Sequence, residues 1–199
     1  MINEELYLST FKTIIGNYHT ISEESFSLLV SLIRIQTIKK NEFLLKEGQI
    51  SKSLYFVCKG ALIAYFSDVQ GNTYNKNIFL ERQFAGSTVS ALLKIPSQFT
   101  LQAIEDSTVI TINHEKYKEL IDQRDDLKNF YIAYLEKNWV IDKEQREISI
   151  VMETASIRYL KMLAKHPGID KRIPLQHIAS HLGITATQLS RIRREIKNK

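Results

Sequence analysis

The side chains best suited to chemistry gather near the C-terminus, where Arg191, Arg193, Arg194, Lys197 and Lys199 stand against a single acid, Glu195. Such a basic surface suits a polyanion, because each Lys or Arg brought to a phosphate releases condensed counterions. The charge is local. Residues 154–199 hold ten Lys and Arg against two acids, a balance of +8; by subtraction from the chain's 27 and 22, the remainder carries 17 against 20.

Two short helices and a tight turn must position these groups. Residues 173–196 read IPLQHIASHLGITATQLSRIRREI, in which Ile178, Leu182, Ile184, Leu189 and Ile192 supply a shared apolar core. Ala179 is small where two helices would cross, and Gly183 falls where the turn needs positive φ. Pro174 suits the start of the first helix, and Thr185 with Gln188 has the form of a capping box that opens the second. A basic helix held to a partner in this way has the geometry that fits the DNA major groove.

Other chemistry finds little support. Cys58 is the only cysteine, which excludes an internal disulfide, a four-cysteine iron–sulfur cluster and a thiolate zinc site within one chain. His177 and His181 are four apart, but Ile178 stands where a zinc-protease motif has its Glu, so both are expected to be surface polar residues. No nucleophile, base or metal constellation is present. The expectation is a non-enzyme with no cofactor and no metal. Hydrophobic content of 44% and charged content of 25% are those of a soluble globular protein. No apolar run is long enough to span a membrane, and MINEELYLST lacks a basic, apolar signal region, so a cytoplasmic location without membrane contact is expected.

Further back, residues 1–34 have helical spacing, with Ser22 as a cap. From 35 to 112 the pattern changes to short β-branched and aromatic runs at 35–38, 43–45, 54–58, 62–66, 76–80, 99–103 and 109–112, broken by turn residues. This spacing predicts a barrel, jelly roll or sandwich. After Asp126 a long helix is expected. Leu127, Tyr131, Tyr134, Asn138, Ile141, Gln145, Ile148 and Met152 alternate at spacings of four and three, as the seam of a two-stranded coiled coil does, while Ile132, Leu135 and Trp139 would pack on the β-region. Thr154 can cap a new helix, which places a hinge near Met152 to Thr154.

The words KKNEFLLKEGQISKSLYFVCKGALIAYFSDVQGN, AIEDSTVITI and TASIRYLKMLAKHPGI, followed by the helix-turn-helix, resemble the Crp/Fnr family of bacterial regulators in the family's order. The resemblance implies an α+β fold in three parts: N-terminal helices and a cyclic-nucleotide-binding-like β-roll over 1–126, a dimerisation helix over 127–153 and a helix-turn-helix domain over 154–199. Only Lys197, Asn198 and Lys199 follow the second helix, so the C-terminal β-hairpin wing of many members is expected to be missing. It further implies base-edge contacts from Ala186, Thr187, Ser190 and Arg191. Phosphate contacts are assigned to Lys171, Arg172, Thr185, Gln188, Arg193, Arg194 and Lys197.

The sequence departs from the cyclic-AMP-binding members at the effector. Where those carry Gly-Glu the chain has Gly86-Ser87-Thr88, and where they carry Arg-Ser or Arg-Thr it has Ser97-Gln98. The Glu for the ribose and the Arg for the cyclic phosphate are both missing, so no tight cyclic-nucleotide binding by the usual mode is expected. A haem-bearing version would have to use His19 or His114, neither of which lies in a ligand motif. The expected function is that of a homodimeric, sequence-specific DNA-binding transcription regulator. Its partners would be double-stranded DNA, a second copy, an effector of unknown identity and RNA polymerase as a further candidate. The alternative is a β-roll ligand- or protein-binding module whose helix-turn-helix no longer binds DNA.

Overall fold

A computed structural model describes residues 3–198; Met1, Ile2 and Lys199 lie outside the described residues. Two helices come first, α1 (Glu4–Gly16) and α2 (Glu23–Ser31). Each begins at a polar cap: Asn3 Oδ1 accepts from the Leu6 N–H and Ser22 Oγ from that of Ser25. Eight strands come next. They are β1 (Ile33–Ile38), β2 (Phe43–Leu45), β3 (Ser53–Lys59), β4 (Leu62–Ser67), β5 (Thr73–Phe79), β6 (Phe84–Ala85), β7 (Thr100–Ala103) and β8 (Ser107–Asn113), with a short helix α3 (Thr88–Leu93) between β6 and β7. They form two antiparallel four-stranded sheets in the orders β1-β8-β3-β6 and β2-β7-β4-β5.

The sheets face each other across a core that includes Val57, Leu62, Ala64, Leu101 and Val109. Alternation then assigns the opposite faces. On the first sheet Phe56, Ile110 and Ile112 pack against α1, α2, α4 (His114–Gln123) and the beginning of α5 (Asp125–Leu135). On the second sheet Ile63, Tyr65 and Ile78 pack against the C-terminal helices. Helices pack on the outer face of each sheet, which explains why β3 and β4 are apolar over most of their length and why β8 is buried at five of its seven residues.

The long helix runs from α5 through a π-helical turn (Glu136–Ile141) into α6 (Asp142–Met152), and Glu153 breaks it with an extended backbone. The side chains that face the roll differ from those the heptad pattern predicts, and the π turn shifts the ones that follow it. Leu127 is fully buried, Tyr131 and Tyr134 pack on the first core, and Asn138 Nδ2 donates to the Tyr18 hydroxyl and the Tyr134 carbonyl. The first half of the expected seam is thus occupied by the chain's own roll. Ile132 and Trp139, expected to pack on that roll, are exposed instead, and Ile141, Gln145, Ile148 and Met152 face solvent. The extra residue of a π turn offsets a 3.5-residue repeat, so a seam read straight through it changes face.

After the break come α7 (Ala155–Lys165), capped by Thr154, then α8 (Ile169–Arg172), α9 (Leu175–His181) and α10 (Ala186–Lys197). Among the described residues no helix is long and apolar enough to cross a membrane.

Candidate nucleic-acid interface

The two helices of the motif meet through Ile178, Ala179, Leu182 and Leu189, all buried, with Ile184 and Ile192 packed beside them. Ala179 is 1% exposed, and its size lets the helix backbones approach. Between them Gly183 takes φ +72, which an L side chain adopts only with strain, and its N–H donates to the Ser180 carbonyl. The capping box is complete: the Gln188 N–H donates to Thr185 Oγ1 at 3.1 Å and the Thr185 N–H to Gln188 Oε1 at 2.9 Å. Arg158 of α7 braces the turn, its Nη2 donating to the Leu182 carbonyl at 2.9 Å.

Ala186, Thr187, Ser190, Arg191, Arg194 and Lys197 are exposed on α10. Positions 186, 187, 190, 191 and 194 obey a helical repeat, so they form one solvent face opposite Leu189. Lys171 is exposed as well, on α8.

Two cations assigned to phosphates are engaged elsewhere. Arg172 donates from Nη1 and Nη2 to Glu81 at 2.9 and 2.7 Å, and from Nε and Nη2 to Glu105 at 2.8 to 3.1 Å. The two carboxylates raise its pKa further. Burial opposes ionisation of Glu81, but hydrogen bonds from Arg172 and from the Gly60 N–H outweigh it and keep the carboxyl below its ordinary range. Arg193 Nη2 lies 3.2 Å from Asp170, whose carboxylate also accepts from the Tyr159 hydroxyl at 3.1 Å. Arg172 therefore ties the C-terminal domain to the roll, and Arg193 ties α10 to α8 within that domain. Their partners are remote in sequence, which is why residue type and helix position alone misassigned them.

A second set of contacts joins this domain to the roll. The Asn75 N–H donates to Ser180 Oγ at 2.7 Å and Asn75 Nδ2 to the His177 carbonyl at 2.9 Å. Arg146 of α6 reaches the same strand, donating to Asn77 Oδ1 at 2.6 Å and the Lys76 carbonyl at 2.8 Å. His181 is partly buried rather than a surface residue. Its Nδ1 is buried without a partner, and burial, then the charge of Arg146, presses the imidazole down to about 4, against the opposing pull of the Lys76 carbonyl. One signal was available in the sequence. Asparagines at alternate positions of a strand are disfavoured, and Asn75 and Asn77 are there because outside groups satisfy them.

In the expected effector region the serine hydroxyls bond to the chain itself. Ser87 and Ser97 are buried and their hydroxyls lie 3.0 Å apart, Ser97 Oγ also reaches the Phe99 carbonyl, and Ser90 Oγ joins the Ser51 N–H to the Ile95 carbonyl. Gly86 has only ordinary contacts around a notional Cβ, Thr88 is half-buried and Gln98 is exposed. No charged group from these residues is available for a ribose or a cyclic phosphate, so they do not fit a cyclic nucleotide held in the usual way. A cation does enter beside them: Lys76 Nζ lies 4.8 Å from the Phe99 ring centroid and 5.8 Å from that of Trp139. Among the described residues no group of three or more His, Cys, Asp and Glu side chains converges as metal ligands would. Burial pushes the Cys58 thiol up to about 12, so it stays protonated and unreactive at neutral pH.

A doubly covered β-roll and a long helix define a cyclic-nucleotide-binding-type domain, here followed by two helices joined by a tight turn. Residues 35–124 match the cyclic nucleotide-binding domain family. Over most of its length the chain has the fold of the Crp/Fnr regulators. FixK2 from Bradyrhizobium japonicum superposes with a TM-score of 0.68 at 17% identity, over 83% of this chain and 85% of that one. CLP from Xanthomonas campestris, described as a c-di-GMP-responsive global regulator, gives 0.67 at 13%, over 89% and 92%. The catabolite activator protein of Thermus thermophilus gives 0.54 at 18%, over 91% and 86%. A search of curated protein sequences finds no match.

Proposed function

We propose that this chain is a transcription regulator that binds specific DNA sequences as a homodimer. The observation that carries the reading is the solvent face of α10, where Ala186, Thr187, Ser190 and Arg191 stand exposed at the start of a capped helix backed by buried Leu189. In this reading those four approach base edges, and Arg191 suits bidentate contact with a guanine, worth about 1–3 kcal/mol of discrimination. Lys171, Thr185, Gln188, Arg194 and Lys197 take the phosphates. A second copy is the occupant that suits the apolar side of the long helix, where Ile148, Val151 and Met152 are 55%, 81% and 77% exposed. Two copies would read an inverted repeat whose half-sites lie about 34 Å apart.

Selection from a pool of random duplexes at two salt concentrations tests this directly. An enriched inverted repeat is the expected result; salt-sensitive binding with no enrichment in the presence of cell metabolites would defeat it. Arg191→Ala should relax preference at one base pair per half-site, whereas Lys197→Ala should weaken all sequences alike and lower the salt slope by about one. Equal losses on specific and random DNA from Arg191→Ala would remove it from base reading. Ile148→Glu should turn the dimer into a monomer in sedimentation at micromolar concentration, and an unchanged sedimentation coefficient would place the interface elsewhere.

A further inference from the structure

A groove beside the end of α1 shares no residue with the faces of α10 and α6 assigned above to DNA and to a second copy. It measures about 450 Å³ and is lined by Ile14, Asn17 and Tyr18 from the end of α1, Arg82 from the β5–β6 turn, and Ala133 and Lys137 from the long helix. Its charged groups, Arg82 and Lys137, are both cationic donors. Arg82 enters no ion pair among the described residues, and Lys137 is paired with Asp142 on its own helix. The Tyr18 hydroxyl accepts from Asn138 Nδ2 at 3.1 Å, which leaves its own hydrogen for a third group. Ile14 and Ala133 provide an apolar floor.

Arg82 also holds an uncommon backbone conformation. Its φ is +68, a region where glycine costs least, and the turn fixes it there by donating the Arg82 N–H to the Val57 carbonyl at 2.8 Å. A long cationic side chain kept at such a position is a reason to look for what the guanidinium binds.

We infer that this groove binds a small organic anion, a carboxylate or phosphate on a short apolar body, with Arg82 as the principal charge and Lys137 and Tyr18 as supporting donors. The surroundings give such a ligand two routes to the rest of the chain. Glu81, the neighbour of Arg82 in the same turn, holds Arg172 of the C-terminal domain. Asn138, the donor to Tyr18, lies in the π turn of the long helix. Any effect of the ligand on DNA affinity rests on the regulator reading, whereas binding itself does not.

The test uses the full chain, with phenyl phosphate, benzoate and neutral phenol as probes, read by calorimetry and by the fluorescence of Trp139, the only tryptophan in the sequence. Both anions should bind at millimolar concentration or below and phenol should not. Arg82→Gly should weaken both anions at least tenfold while its melting temperature equals or exceeds that of the parent, since glycine accepts the conformation freely. Arg82→Lys should retain part of the affinity. Equal binding of anions by Arg82→Gly and the parent, binding of phenol as strong as that of benzoate, or no binding of either anion would overturn the inference. Loss of specific DNA binding with anion binding intact would count against the regulator reading and leave the groove supported.

Discussion

Gly60→Ala should lower the stability of the whole chain by more than about 3 kcal/mol, and its melting temperature by roughly 6–12 °C for a protein of this size. Gly60 sits at φ +94, and a Cβ there would lie 2.2 Å from Ser107 Oγ and 2.7 Å from Ser107 Cα. The second distance is to backbone, which a rotamer change cannot relieve. The Gly60 N–H also donates to Glu81 Oε1 at 2.9 Å, and Glu81 holds Arg172, so displacement of this turn loosens the C-terminal domain as well. Gly48→Ala is the control. Gly48 has φ +84 but nothing within 4 Å of a notional Cβ, so only the conformational penalty of about 1 kcal/mol applies. Chemical denaturation of the two variants checks the contrast, and equal losses would mean that the Ser107 contact yields without cost.

Acid should weaken the attachment of the helix-turn-helix through His181. The imidazole is neutral in the folded chain down to about pH 4, while in the unfolded chain it takes up a proton near 6.5. Stability from this group is therefore fully present above about pH 6.5 and is lost as the pH falls towards 4, by roughly 3 kcal/mol in all. The groups facing it are cationic or neutral: Arg146 from α6, Lys76 with its carbonyl from β5, and His166 from the end of α7. None is a carboxylate that could compensate a new charge. His114, His166 and His177 are also held below their ordinary value by burial and add slopes of the same sign. Asp126 acts lower still; burial pushes it up, but the Ser22 N–H and the Ser22 and Ser25 hydroxyls outweigh this and hold it at about 2. Denaturant midpoints of the parent and of His181→Phe from pH 7 to 4.5 isolate the one residue. The variant should show a flatter profile; parallel profiles would clear His181 of the effect.

What could be read from the sequence divides by the range of the interactions involved. The helix-turn-helix was legible because Ala179, Gly183 and the Thr185–Gln188 box act within a few residues of one another. The extent of the long helix was legible because no Gly or Pro interrupts it and Thr154 caps the next helix, α7. Its facing was not. A heptad reading assumes a second copy as the partner and one helical period; the chain's own roll takes Leu127 and Tyr134 before the π turn, and the π turn at Glu136–Ile141 shifts the residues that follow it. The fates of Arg172 and Arg193 were hidden for another reason. Glu81 and Glu105 meet Arg172 only once the C-terminal domain lies on the roll, and nothing local to Arg172 marks them as partners. The loss of charged effector ligands was visible at Ser87 and Ser97, but their mutual bond was not.

The core between the second sheet and the C-terminal helices joins two parts of the chain that are far apart in sequence, with Ala61, Ile63 and Ile104 on one side and Ile169, Ile173 and Ile178 on the other. During synthesis the first group leaves the ribosome long before the second, so the roll must wait with an apolar face uncovered until its last helices arrive. A chaperone that shields that face would be needed most in the interval when residues beyond Glu153 are still in the exit tunnel. Residues 154–199 expressed alone would have the converse defect, an apolar face with no roll to cover it, so these helices are not expected to serve another protein as a free-standing cassette.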